Sequence, residues 1–162
     1  LERNFPNHFC VRAVTNIPIT IGKGLTGISY SSQVKQSQKE FIKQIFQSSS
    51  KIYELEEDYL DIFLALTSSA PAIVSLIVEA LSDGGLSGGL QKNLSEELVL
   101  EMMLGTVLLL MDTRISTNDL KNMVTSPGGT TISALRVLEK RSFRSALIES
   151  IIEATKRSKE FR

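Results

Sequence analysis

The chain has 162 residues, the length of one ordinary domain, and its 42% hydrophobic and 22% charged residues are typical of a globular protein with a core. Its 18 basic and 18 acidic residues balance without a long basic run, which argues against a nucleic-acid partner. One cysteine, Cys10, allows no internal disulfide. Together with one histidine, His8, it cannot supply a Cys/His metal cluster, so we expect no metal.

Residues 1–56 predict a small α/β segment. Three short runs rich in β-forming residues are expected to be strands: FCVRAV (9–14), TGISYS (26–31) and KIYELE (51–56). Between the second and the third, apolar residues recur at helical spacing over residues 31–47, which predicts a helix. The order strand, strand, helix, strand is typical of the edge of an α/β sheet, and the segment is too small to close a sheet of its own.

Residues 57–162 predict helices only. The acidic residues of EEDYLD open the first helix, where they favour the helix dipole more than they indicate acid/base catalysis. A second helix is expected to begin at APAIV, with Pro71 in its first turn, and to end at the glycine-rich DGGLSGGL (83–90). Four more follow: a long apolar helix capped by Asn93 or Ser95, a short helix over STNDLKNMV, a helix after SPGGTT, and a C-terminal helix. We therefore predict a mostly α fold with a six-helix domain.

Two long apolar stretches raise the question of a membrane span. The first, residues 59–81, contains residues unsuited to a spanning helix, namely Asp61, Pro71 and Glu79. The second, residues 98–111, is too short to cross a bilayer. The chain begins with leucine and no charged-then-apolar leader follows, so we expect no signal peptide. We predict a soluble, cytoplasmic protein without a membrane partner.

Both stretches are apolar on nearly every helical face and read as buried helices, so each needs packing partners on nearly every side. A helical set of this size cannot cover both by itself, and we therefore expect an intimate, interlocked homodimer. The alternative is a monomer in which the long helix is simply central.

The sequence contains the pattern G-x-G-x-x-G in GKGLTG (22–27). In dinucleotide-binding proteins these glycines follow a strand and open a helix, whose N–H groups meet the pyrophosphate. Here the strand-like ISYSS follows instead. We interpret the glycines as a loop between two strands and not as a cofactor site.

The segment VTSPGGTT (124–131) stands directly in front of an apolar-periodic helix. Its serine can cap the helix, its proline can fix the start of the turn, and two glycines leave backbone N–H groups uncovered. Such a helix start suits a small carboxylate or a phosphate, while an ordinary capped Pro-Gly turn would use several of the same residues. The candidate anion-binding residues are Ser126, Gly128, Gly129, Thr130 and Thr131.

These segments together resemble the C-terminal half of the pyrroline-5-carboxylate reductase family. The resemblance is carried by VTSPGGTT with ALRVLEKRSFRSAL and EATKRSKE after it, and by RAVTNIP, LEEDYLDIFLAL and PAIVSLIVEALSDGGLSGGL before it. It extends from about residue 11 to the end of the chain. It implies that residues 1–56 are the last part of a Rossmann nucleotide-binding domain, and that residues 57–162 form an interlocking helical domain for dimerisation and substrate binding.

The resemblance implies an NAD(P)H-dependent reduction of the cyclic imine 1-pyrroline-5-carboxylate to L-proline, a step of proline biosynthesis. It puts the substrate carboxylate on the five residues named above, with Thr131 as the catalytic hydroxyl that orients the imine or helps to protonate the product. It puts Asn16, in an Asn-x-Pro turn, and Ser69 beside the cofactor, NADPH or NADH. Because the first half of the Rossmann domain is absent from the sequence, we expect this chain to be nearly inactive by itself.

One departure from the family pattern leaves room for other functions. Where the family has Ser-Gly-Ser-Gly-Pro, this sequence has TSSAP (67–71), so Ser68 and Ala70 replace glycines. A non-catalytic dimerisation module related to the reductase is therefore the alternative. A hydroxyacid dehydrogenase with a helical dimer domain is a third hypothesis, but no lysine or histidine on a long helix fits its catalytic role.

Overall fold

The computed structural model describes residues 8–161 and begins with a three-stranded sheet. The strands are β1 (Val11–Thr15), β2 (Gly24–Tyr30) and β3 (Ser50–Glu54), in the spatial order β1-β2-β3. β1 and β2 are antiparallel, whereas β3 runs parallel to β2 and follows it through helix α1 (Gln36–Phe46). A parallel pair needs such a crossover connection, and the predicted order of strands and helix is confirmed.

The central strand β2 supplies the most buried side chains of the sheet, Thr26 and Ile28. Because side chains alternate along a strand, Gly27 faces the other side, where a Cβ would lie 2.8 Å from the ring of Phe63. Glycine at this position therefore lets the helix that carries Phe63 pack closely on the sheet. The predicted loop over GKGLTG is partly wrong, since Gly24 and Gly27 belong to β2.

One continuous helical stretch, Glu57–Ser87, follows the sheet. It consists of a 3₁₀ turn (Glu57–Tyr59), α2 (Leu60–Leu64), a π-helical turn (Ala65–Ser69) and α3 (Ala70–Ser87). The predicted break before Pro71 is therefore wrong. A proline ring inside an α-helix clashes with the carbonyl four residues earlier, and the wider π turn directly before Pro71 relieves this clash.

Four further helices complete the described residues. They are α4 (Lys92–Thr113), α5 (Thr117–Met123), α6 (Thr130–Lys140) and α7 (Phe143–Glu160). With α1 and the continuous α2–α3 stretch, residues 8–161 contain six helices besides the short 3₁₀ helix Ile17–Ile21, so the mostly helical fold with a small α/β segment at its start is confirmed. The predicted cap of α4 is wrong, because Gln91 stands at the N-cap position and Ser95 is buried inside the helix.

The chain divides into two compact units. The first contains the sheet, α1, α2 and the π turn, together with the chain from Ile148 onward, and the second is Ile73–Leu147. The fully buried apolar side chains Ile28, Leu60 and Ala65 form the core of the first unit. Within residues 73–147, all of which the structure describes, no apolar side chain is fully buried. The sequence division at residue 56 stays a prediction.

A short turn joins α3 to α4, and a buried contact holds the two helices together. The Oγ of Ser95 donates to the Ser82 carbonyl over 2.7 Å, and both serines are buried. A Cβ on Gly85 would lie 2.0 Å from this Oγ, so glycine is required for the close approach. DGGLSGGL is therefore a helix-to-helix connection, with Gly84 and Gly85 still inside α3 and Gly89 in the turn at φ = 97°.

Apolar side chains cover much of the surface of α3 and α4 in the single chain. Those of α4 that are about half exposed include Leu98, Met102, Leu104, Val107 and Leu108. The helices that the sequence predicts to be buried are therefore open to solvent in one copy. By length and composition, Glu57–Ser87 is also the stretch of the described residues that is apolar enough to cross a membrane, with 17% of its most apolar window buried.

Candidate functional site

Residues 126–131, which we call the α6 mouth, form a tight turn and the first residues of α6. The Gly129 N–H donates to the Ser126 carbonyl over 3.1 Å and closes a four-residue turn, with Pro127 in second position and Gly128 in third. Gly128 has φ = 70°, the left-handed conformation that a type II turn requires there and that favours glycine. The Pro-Gly pair therefore fixes the direction in which the chain continues into α6.

Gly129 occupies the N-cap position of α6, and no side chain caps this helix. The predicted cap by Ser126 is therefore wrong. The Ser126 hydroxyl instead lies beside the Gly129 backbone, where a Cβ on Gly129 would be 2.3 Å from Ser126 Oγ. The first turn of α6 contains no acidic residue either. The backbone N–H groups that open α6 are thus not capped by any side chain of the helix start.

Two threonines stand in the first turn of α6: Thr130 is exposed and Thr131 is half-buried. The positive end of the helix dipole and the uncapped N–H groups together favour a negatively charged group. The hydroxyl of Thr131 can donate to that group or to a neighbouring atom of the same ligand. The geometry of the α6 mouth is that of a binding site for a small anion.

A second set of predicted site residues lies at the end of β1. Asn16 follows Thr15 and is only 8% exposed. Its Oδ1 accepts the Leu25 N–H over 2.8 Å, and its Nδ2 donates to the Thr67 carbonyl of the π turn over 3.1 Å. Ser68 Oγ donates to the Thr15 carbonyl over 2.9 Å. Side-chain hydrogen bonds thus join the end of β1 to the π turn.

Ser69, the other predicted cofactor contact, lines a cleft of about 550 Å³ in the first unit. The remaining lining residues are Arg12, Leu64, Ala154, Arg157, Ser158 and Phe161. The guanidinium of Arg157 pairs with Glu160 and lies 4.5 Å from the centroid of the Phe161 ring. Arg12 is paired with Asp61, so carboxylates of the chain itself already neutralise both arginines.

Asp61 is a structural residue, whereas the sequence predicts only a favourable charge for the helix dipole and a residue unsuited to a membrane span. Its side chain is fully buried, and Oδ1 accepts from Arg12 Nη2 over 3.3 Å and from Ser158 Oγ over 2.9 Å. The carboxylate therefore ties α2 to β1 and to the end of α7. The partners are 49 and 97 residues away along the chain, and the only local signal is a charge inside an apolar segment.

The GKGLTG pattern does not form a phosphate site. Gly24 and Gly27 lie within β2, and a Cβ at either position would come within 2.8 Å of neighbouring atoms. The chain continues as a strand to Tyr30, so no helix N-terminus faces a ligand after these glycines. This pattern therefore does not fit the pyrophosphate of a dinucleotide.

Shifted pKa values occur beside α1 and not at these predicted site residues. Burial raises the pKa of Tyr30, and the hydrogen bond from Lys43 to Glu54 raises the pKa of Lys43. Neither residue belongs to the α6 mouth or to the end of β1. The resolved pKa shifts therefore lie outside both sets of predicted site residues.

A family model described as pyrroline-5-carboxylate reductase dimerisation matches residues 57–161, which is more than half of the chain. The chain belongs to the pyrroline-5-carboxylate reductase dimerisation family. The resemblance carried by the sequence motifs is thereby confirmed. The matched region includes the α6 mouth and Ser69, whereas Asn16 lies before it.

Curated reductases are similar over nearly the whole chain. The pyrroline-5-carboxylate reductase of Synechocystis is 40% identical over 160 residues, which are 99% of this chain and 60% of that protein. The reductase of Glycine max is 37% identical over 150 residues, which are 93% of this chain and 55% of that protein. The chain thus spans 55–60% of the length of these reductases.

Solved structures give the same result for the fold. Plasmodium falciparum pyrroline carboxylate reductase with NADP bound has a TM-score of 0.92 at 32% identity, over 95% of this chain and 62% of that one. The Coxiella burnetii pyrroline-5-carboxylate reductase has a TM-score of 0.87 at 33% identity, over 98% of this chain and 60% of that one. The fold of the chain is therefore that of the corresponding part of these reductases.

The predicted site residues fall into both compact units. The α6 mouth belongs to the second unit, and Asn16 and Ser69 belong to the first, where Ser68 joins the π turn, which ends at Ser69, to the end of β1. Their individual roles in substrate and cofactor binding stay predictions.

Proposed function

We propose that this chain is the substrate-binding and dimerising part of a pyrroline-5-carboxylate reductase. The reaction is the reduction of 1-pyrroline-5-carboxylate to L-proline, with NADPH or NADH, in proline biosynthesis. The observation that carries the proposal is the uncapped α6 mouth inside the region that matches the family. The substrate is a small ring bearing one carboxylate, which is the kind of anion that a helix N-terminus stabilises.

The α6 mouth supplies different groups to different parts of this substrate. The N–H groups of Thr130 and Thr131 hold the carboxylate, and the hydroxyls of Ser126 and Thr130 can add further donors. Gly128 provides the turn, and the missing side chain at Gly129 keeps the approach open. Reduction puts a hydride on the imine carbon and a proton on the ring nitrogen. We assign the orientation of that nitrogen to the hydroxyl of Thr131.

The cofactor, NADPH or NADH, supplies the hydride, and we assign most of its binding to parts of the reductase outside these 162 residues. Two observations support this: the similar reductases are longer than the region matched, and GKGLTG lies within a strand. The relative from Plasmodium falciparum has NADP bound. We assign Asn16 and Ser69 to the neighbourhood of the cofactor. Since hydride transfer needs both reactants at near-attack distance, this chain alone should not turn over.

Self-association is the partner function that the dimerisation family supports. We propose that a second copy covers the exposed apolar side chains of α3 and α4 in an interlocked homodimer. The second unit has no fully buried apolar side chain of its own, so it requires such a cover. Burial against a second copy also explains why the Glu57–Ser87 stretch is apolar, so no membrane is required. We propose a soluble, cytoplasmic protein without a nucleic-acid partner.

A turnover assay tests the proposal. The chain is mixed with 1-pyrroline-5-carboxylate and NADPH, and the mass of the assembly and the binding of L-proline are measured on the same sample. We expect a dimer that binds L-proline without oxidising NADPH. Turnover would show that the cofactor binds within these residues. A folded dimer that does not bind L-proline would favour a non-catalytic dimerisation module, the alternative indicated by Ser68 and Ala70 in place of the family's glycines.

A further inference from the structure

Pro71 lies inside a continuous helical stretch, and its position creates a specific deficit in hydrogen bonding. In a regular α-helix the N–H of residue 71 donates to the carbonyl four residues earlier, which belongs to Thr67. Proline has no N–H, so this bond cannot form. The Thr67 carbonyl therefore needs a donor from elsewhere.

Asn16 supplies that donor. Its Nδ2 lies 3.1 Å from the Thr67 carbonyl oxygen, while its Oδ1 accepts the Leu25 N–H over 2.8 Å. Only this orientation of the amide pairs each donor with an acceptor, so the two contacts fix each other. Asn16 is only 8% exposed and both bonds are partly buried, so an unpaired partner left by their loss is costly.

We propose that Asn16 is a positioning residue whose amide replaces the hydrogen bond that Pro71 removes, and so holds the π turn with Ser69 against the end of β1. The Oδ1 and one amide hydrogen of Asn16 form hydrogen bonds within the chain. A side chain that served only the cofactor would leave these groups available to bind it. The meaning of this role for catalysis rests on the proposed function. The hydrogen bond from Asn16 to the Thr67 carbonyl does not rest on the proposed function, because it forms when the first unit folds.

A double-mutant cycle on folding tests the contact directly. Asn16→Ala removes the donor to Thr67, and Pro71→Ala restores an N–H that can take its place. We expect Asn16→Ala to lower the folding equilibrium constant of the chain at least about fivefold more with Pro71 present than with Ala at that position. Equal effects in the two backgrounds would overturn the proposal. If Asn16→Ala does not fold, recovery of folding by Pro71→Ala supports it, and failure of both variants overturns it.

Ser68→Ala is the matched control for this cycle. Ser68 joins the same two segments through its bond to the Thr15 carbonyl, but that bond does not involve the carbonyl affected by Pro71. Its effect on folding should be the same with and without Pro71→Ala. If Pro71→Ala changed the effects of Ser68→Ala and Asn16→Ala on folding by the same factor, the coupling would not run through the Thr67 carbonyl.

Kinetics of the intact reductase separate a positioning role from cofactor binding. If Asn16 positions the π turn, Asn16→Ala lowers kcat, and adding Pro71→Ala restores most of it. If Asn16 instead binds the cofactor, Asn16→Ala raises the KM for NADPH and Pro71→Ala does not restore it, which overturns the role proposed here. An inactive intact protein that still shows the folding coupling would reject the proposed function and leave the Asn16–Pro71 contact established.

Discussion

At the scale of single residues, the fully buried carboxylate of Asp61 links three elements of the first unit. It accepts hydrogen bonds from Arg12 of β1 and from Ser158 of α7. Removal of one partner of a buried ion pair leaves the other charge buried without a counter-charge. The free-energy cost of this removal therefore exceeds the net contribution of the intact pair to stability. The contribution of Asp61 to stability is therefore measured mainly by a substitution that removes one partner of the ion pair.

Replacement of Asp61 by asparagine should lower the free energy of unfolding by roughly 2–4 kcal/mol. Asparagine keeps the shape of the side chain but removes the charge. The Arg12 guanidinium, whose side chain is 23% exposed, then keeps, among the described residues, only the longer ion pair with Glu57, at 3.9 Å. Chemical denaturation of the native chain and the variant at one protein concentration measures this difference.

Glu139→Gln is the matched control for Asp61→Asn. It removes the acid of the exposed pair in which Arg144 Nη2 lies 2.9 Å from Glu139 Oε1. Such surface pairs contribute less than about 1 kcal/mol, so this variant should remain close to the native chain. Equal losses in the two variants would contradict the structural role of Asp61.

The sequence predicts turn chemistry at this scale better than it predicts partners. The Pro127-Gly128 pair predicts a turn, and the structure contains it. Ser126 is predicted as a cap because serine favours that position, yet Gly129 occupies it, and the local pattern permits both arrangements. The contacts of Asp61 bridge 49 and 97 residues and depend on how the elements pack.

At the scale of elements, two neighbouring glycines of α3 have opposite surroundings. A Cβ on Gly85 would lie 2.0 Å from Ser95 Oγ of α4, whereas a Cβ on Gly84 has no atom within 4 Å in the chain. Only the first glycine is therefore required for the packing of α3 on α4. The pair allows a comparison in which helix propensity is held constant.

Gly85→Ala should destabilise the chain by roughly 1–3 kcal/mol, because the new methyl group overlaps the Ser95 hydroxyl. Gly84→Ala should be neutral or stabilising by up to about 1 kcal/mol through its higher helix propensity. Addition of Ser95→Ala to Gly85→Ala removes the overlapping oxygen and should recover part of the loss. Thermal unfolding measures all three variants, and equal stability of the two single glycine variants would contradict the described contact.

Periodicity predicts most of the elements, and the errors occur where tertiary contacts decide. The three strands and the helices after them follow from alternation and from helical spacing. The predicted break before Pro71 is wrong because a π turn relieves the clash of the proline ring, and Asn16, which follows β1, donates to the affected Thr67 carbonyl. No pattern within residues 57–87 contains that information.

At the scale of the whole molecule, the apolar surface of α4 is the feature that one copy of the chain leaves open. Leu104 is 55% exposed in the single chain, in the middle of this helix. The family match and the order of its motifs identify the region as a dimerisation domain. The sequence predicts this from composition, because helices that are apolar on all faces need outside partners, but it cannot predict the pairing geometry.

Leu104→Glu should abolish self-association. A carboxylate buried at the interface without a partner costs several kcal/mol, so the dissociation constant of the dimer should rise by at least about a hundredfold. Sedimentation equilibrium over a range of concentrations measures the mass, and circular dichroism reports whether the separated chain stays folded. Gln44→Glu adds the same charge on the exposed surface of α1 and should leave the mass unchanged. A monomeric native chain, or a Leu104→Glu variant that associates normally, would contradict the dimer.

Calorimetric titration tests the proposal that the α6 mouth of the dimer binds the carboxylate and the ring nitrogen of 1-pyrroline-5-carboxylate. The two ligands are L-proline and cyclopentanecarboxylate, a ring of equal size that has the carboxylate but no nitrogen. Thr131→Val removes one hydroxyl from the mouth, and Thr117→Val removes a first-turn hydroxyl from the start of α5 as a control.

The native dimer should bind both compounds. Thr131→Val should weaken L-proline binding by about tenfold and leave cyclopentanecarboxylate binding unchanged, because only the nitrogen contact is lost. Thr117→Val should change neither. A folded dimer that binds neither compound, or the same loss of L-proline binding in both threonine variants, would contradict the account.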